Sequence, residues 1–90
     1  MSRKDKINFM KLSHKAFLNM TKQSGFPNDV IKLAKRAKIE SNRGYDFFLK
    51  WFTELAPEDK EVLAAEIQHF TRQKKDTIEK MLNFKFEELD

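Results

Sequence analysis

Four cations, Lys32, Lys35, Arg36 and Lys38, fall within seven residues of a stretch whose other members, Val30, Leu33, Ala34 and Ala37, are small or aliphatic. On a helix the two sets separate, the apolar one inward and the cationic one outward. Such a face suits a phosphate backbone, because Lys and Arg gain affinity for nucleic acid by releasing condensed counterions and a slim helix can lie close to a groove. A plain solvated face is the other use of the same pattern. A second cationic stripe, Lys4, Lys11, Lys15 and Lys22, lies opposite Phe9, Leu12, Ala16, Phe17 and Met20 at about 100° per residue. Ile7, His14 and Leu18 flank that stripe away from the main apolar arc, where they could meet a protein partner or be covered by another helix.

Other chemistry finds little to use. Glu66 and His69 have the Glu-x-x-His spacing of helical di-iron sites, but such sites need two copies and further inward carboxylates. His14 and His69 are the only histidines, and neither has a neighbouring nucleophile to activate. Gly25 and Gly44 are the only glycines, too few for a phosphate-cradling loop, and the absence of cysteine removes disulfides, thiolate metal sites and a cysteine nucleophile. The expectation is therefore a protein that is not an enzyme, with no cofactor and no metal. The run from Tyr45 to Phe52 could stack on bases. A chain this short has more need of Phe47, Phe48, Trp51 and Phe52 as core, at roughly 25 cal/mol per Å² buried.

Charge is divided along the 90 residues. Residues 1–45 carry eleven Lys and Arg against three acids, a net +8, and residues 46–90 carry seven against eleven, a net −4. A basic half concentrates polyanions, whereas an even mixture mainly keeps a protein in solution. With 40% hydrophobic residues and nine Phe, the chain is too apolar for a disordered tail. Its N-terminus alternates charged and apolar residues, which resembles no leader, and no apolar run reaches the roughly 18 residues of a membrane span. The reading is a cytoplasmic protein without a membrane partner.

The elements that must carry these faces are marked by the few breakers, Gly25 with Pro27, Gly44, and Pro57. The spacing predicts an all-α fold, a compact bundle of about four helices forming a single domain over 1–90. The first helix runs over about 4–23. The second follows, with Asn28 or Asp29 as N-cap, to about Ser41. The third, Tyr45–Leu55, is apolar on nearly all sides. The last is long, starting at Pro57 with the stripe Leu63, Ile67, Phe70, Ile78 and Met81. Lys74 interrupts that stripe, so 74–90 is expected to project as a helix or tail, or to pair with a second copy.

The run from Met20 to Arg36, with Gly25 at the turn and Ile31 and Ala34 at the spacing that seats a second helix, resembles a bacterial helix-turn-helix of the repressor type. The resemblance covers about twenty residues and implies a recognition helix in the major groove, with Asn28, Lys32, Lys35 and Arg36 as DNA-facing positions and a twofold dimer on repeated half-sites. Asp29 departs from the pattern by placing an acid near the phosphates, and the preceding helix is longer than the motif's usual first helix.

The leading expectation is a small regulator that binds duplex DNA, Lys38, Lys11 and Lys15 adding phosphate contacts to those positions. The alternative is a protein-binding modulator, such as a phage or mobile-element inhibitor of a host complex, that grips an acidic partner with the same basic face and anchors on it through Ile7, Leu18, Phe84, Phe86 and Leu89.

Overall fold

The computed structural model describes residues 2–86, and they form an all-α bundle of five helices: α1 (Arg3–Lys22), α2 (Asn28–Arg43), α3 (Tyr45–Thr53), α4 (Pro57–Thr71) and α5 (Lys75–Leu82). The radius of gyration, 12.2 Å, matches the ~12 Å expected of one packed domain of this length.

Helix α1 starts where the Ser2 side chain accepts the Asp5 N–H at 3.1 Å, and it buries Phe9, Met10, Ala16, Phe17 and Met20. Leu12, expected in that set, is only half-buried. After a turn through Gly25 at φ 109°, α2 is capped by the Pro27 backbone rather than by Asn28 or Asp29, which occupy its first turn. There Asp29 complements the positive end of the helix dipole and accepts the Val30 N–H at 3.0 Å. Ala34 and Ala37 face inward, so α2 packs closely. A hydrogen bond of 2.9 Å between His14 in the middle of α1 and Ser41 near the end of α2 lays the two helices alongside each other as a hairpin.

Gly44, at φ 120°, ends α2 and begins α3. Helix α3 anchors the core through Phe48 and Phe52, both fully buried, and a chain of ring contacts runs outward from them, stacked within the core and edge-to-face toward Phe84 and Phe86. Phe48 lies 5.5 Å from Phe17 and 5.9 Å from Phe52, Phe52 lies 5.9 Å from Phe84, and Phe84 lies 5.2 Å from Phe86. Replacing a fully buried Phe such as Phe48 by Ala costs about 3–5 kcal/mol. Phe47, expected in the same core, is instead 53% exposed, because a nine-residue helix on the bundle surface has an outer side. Phe70 is also exposed.

The long last helix is in fact two. Helix α4 stops at Arg72, which turns left-handed at φ 56°, and Lys74 caps the start of α5. A continuous helix would have seated Lys74 between Ile67 and Ile78 in the apolar stripe; the break leaves Lys74 in water and returns Ile78, Met81 and Leu82 to the core. Residues 75–86 therefore pack against the bundle and do not project. Phe84 and Phe86 rest on the core, and the Phe86 N–H is held by Glu79 Oε2 at 2.8 Å. Both residues, expected as protein-docking anchors, are half-buried here, and Leu89 lies outside the described residues.

Candidate nucleic-acid interface

The exposed side of α2 follows from its buried side. With Ala34, Ala37 and Ser41 inward, the positions 28, 32, 35, 36, 39 and 43 share the opposite arc at 100° per residue. Asn28, Lys32, Lys35 and Arg36 are exposed there, with Ile39 among them, while Lys38 is half-buried to one side. Lys11 and Lys15 are exposed on α1.

Two members of the arc are already engaged. Glu40 is buried, its side chain 5% exposed, and accepts Arg36 Nε at 2.9 Å and Arg43 Nη1 at 3.3 Å. The arginines themselves are 58% and 54% exposed. One carboxylate thus fixes two guanidinium groups by i,i+4 and i,i+3 pairing and offsets part of their charge. Arg36, expected as a DNA-facing position, is thus exposed but paired. No lysine of α1 or α2 has an acidic side chain within 4.0 Å among the described residues.

The α1 lysines lead into a groove of about 640 Å³ between the N-terminal three turns of α1 and the α2–α3 junction. Met10 and Tyr45 give it apolar and aromatic lining, Ile7 and Phe47 stand exposed at its edges, and Arg3, Lys6, Lys11, Lys15 and Arg43 supply cations against one acid, Asp46. Arg43 lies over the Phe47 ring at 4.5 Å, and Lys6 lies 5.2 Å from the Tyr45 ring centroid. The Tyr45 hydroxyl donates to the Met81 carbonyl at 2.6 Å, and burial raises its pKa, with the charge of Asp46 adding to the shift.

His14 also lines the groove with a defined ring orientation. The Ser41 hydroxyl donates to the Lys38 carbonyl at 3.0 Å and lies 2.9 Å from His14 Nδ1, which leaves Nε2 as the ring nitrogen not engaged by Ser41.

Of the residues expected at a protein interface, Ile7 is 46% exposed at this groove, and Leu18 is half-buried. Sequence reasoning missed Lys6 and Arg43, for which the legible signal was Arg43 at three residues from Glu40; it raised base stacking for the run from Tyr45 to Phe52 but assigned Phe47 to the core. The groove itself arises from tertiary packing.

Among the described residues no group of three or more His, Asp or Glu is placed to hold a metal ion, and no helix is long and apolar enough to cross a membrane. No protein-family model, curated protein or solved structure matches the chain.

Proposed function

We propose that the chain is a non-catalytic nucleic-acid-binding module that presents the α1–α2 hairpin to a phosphate backbone. The observation that carries this reading is the set of lysines on α1 and α2 with no carboxylate within 4.0 Å among the described residues, on a hairpin whose one strongly buried carboxylate, Glu40, is already paired with two arginines. Unpaired cations on rigid helices meet polyanions at little cost in ordering, and their association is steered by charge. Lys32 and Lys35 are the central contacts, with Lys11, Lys15 and Lys38 at the flank and Asn28 at the exposed start of α2. That is the end a recognition helix leads with, so a base-reading role for Asn28 and Lys32 belongs to the same proposal.

The test is fluorescence anisotropy of a labelled 20-base-pair random duplex between 50 and 200 mM salt. Lys32→Ala/Lys35→Ala is expected to weaken binding to any sequence and to flatten the slope of log K against log salt by about 1.8, at ~0.9 for each phosphate contact. Duplex binding that is absent at low salt overturns the proposal and leaves an acidic protein surface as the partner of this face.

A further inference from the structure

Resting on the nucleic-acid reading, we infer that the groove between α1 and the α2–α3 junction is a subsite for a single-stranded segment, with Phe47 as the platform on which an unstacked base lies. A face that met only duplex phosphates would have no use for an exposed ring, because the bases of a duplex are stacked inside it. Phe47 is 53% exposed, yet it is held. Arg43 covers it at 4.5 Å, Glu40 holds Arg43 at 3.3 Å, and the adjacent Phe48 is fully buried. The ring is thus fixed before any ligand arrives, and little entropy is lost on stacking.

The surroundings match the rest of a nucleotide chain. Arg3, Lys6, Lys11 and Lys15 follow the groove along α1 for about 18 Å at 1.5 Å per residue, long enough to track several nucleotides. His14 Nε2, the ring nitrogen not engaged by Ser41, can hydrogen-bond to a base edge. Charge complementarity selects an anionic occupant. An acidic helix of another protein is the weaker fit, since the cores of protein interfaces are depleted in charged residues and rest on several apolar anchors. Here cations dominate, and the large exposed apolar side chains at the groove are Ile7 and Phe47.

The experiment compares labelled dT12 with the 20-base-pair duplex at matched salt, using the wild-type protein, Phe47→Ala, Phe47→Trp and Lys32→Ala/Lys35→Ala, with circular dichroism confirming that each is folded. The expected result is that Phe47→Ala weakens dT12 roughly tenfold, the scale of one stacked base, that Phe47→Trp preserves it, and that neither changes duplex binding. If Phe47→Ala leaves dT12 unaffected while the lysine variant weakens both ligands, the groove inference falls and the phosphate-binding face stands. Failure of the wild type to bind either nucleic acid removes both. If a labelled 12-residue polyglutamate binds as tightly as dT12 and Phe47→Ala alters neither, the groove responds to charge alone and the base-stacking role is overturned.

Discussion

Removing the carboxylate that restrains two arginines should strengthen duplex binding while weakening the fold. In Glu40→Gln the amide keeps the shape of the side chain but loses the charge that holds Arg36 at 2.9 Å and Arg43 at 3.3 Å. A fully buried ion pair broken on one side costs about 3–5 kcal/mol. Here both guanidinium groups are more than half exposed, so water compensates them and each pair is worth nearer 0.2–1 kcal/mol. The expected loss is about 1 kcal/mol, or roughly 4–8 °C in Tm for a domain of this size. Arg36 is then free to turn toward a phosphate. One added contact steepens the salt dependence by ~0.9. If that contact contributes nothing at 1 M salt, it raises affinity about eightfold at 0.1 M. The assay is duplex anisotropy across the salt series beside thermal unfolding, with Glu58→Gln on α4 as a variant of equal charge change away from the hairpin. A Glu40→Gln protein that is less stable but has the affinity and slope of the wild type, or that gains no more than Glu58→Gln, would refute the assignment of the outer face of α2 to phosphates.

Two further outcomes concern stability. Tyr45→Phe removes the bond from α3 to the Met81 carbonyl and is expected to cost about 1 kcal/mol at pH 7 in urea unfolding. The pKa of Tyr45 is raised by folding, so its contribution is complete below about pH 10, the ordinary tyrosine value, and is lost as pH rises from there through the folded value. The variant should therefore lose less stability than the wild type above pH 10, and parallel alkaline curves would count against the buried phenol. Arg72→Gly relieves a left-handed residue at the end of α4 and should raise Tm by a few degrees, an effect of about 0.5–1 kcal/mol, whereas Arg72→Val should lower it.

The hairpin was readable from sequence because Gly25, Gly44 and Pro57 sit where the helical period breaks and because the cations of α2 avoid the positions of Ala34 and Ala37. The division between α4 and α5 was not. It falls in Thr71-Arg72-Gln73-Lys74, without Gly or Pro, and Arg72 takes a conformation that its side chain does not announce. What decides it is the cost of burying Lys74, whose interruption of the stripe was legible; that the chain breaks there and returns Ile78 and Met81 to the core beside Ile67 was not. Phe47 was illegible for a related reason. In an aromatic run that is apolar on nearly every side, periodicity cannot say which ring faces out, and that choice depends on where α1 and α2 stand. The engagement of Arg36 and Arg43 by Glu40 follows a local spacing rule, but the burial of Glu40 that gives the pairing weight is tertiary.

The joint at Gly44 makes the chain unevenly tolerant of changes in length. Its N–H donates to the Ser41 carbonyl at 3.3 Å and its carbonyl accepts the Phe48 N–H at 2.9 Å, so one residue closes one helix and opens the next with no slack between them. The backbone at φ 120° and ψ 167° is one that essentially only glycine adopts. Phe47 and Phe48 leave α3 about 100° apart, one toward the groove and one into the core. A residue inserted in the five-residue connection before α2 can bulge into solvent. One inserted at Gly44 would advance the phase of α3 by that same angle, carrying Phe48 out of the core together with Phe47 out of the groove. An insertion scan along the chain would therefore meet its sharpest boundary here, where the part that recognises and the part that folds are set by a single angle.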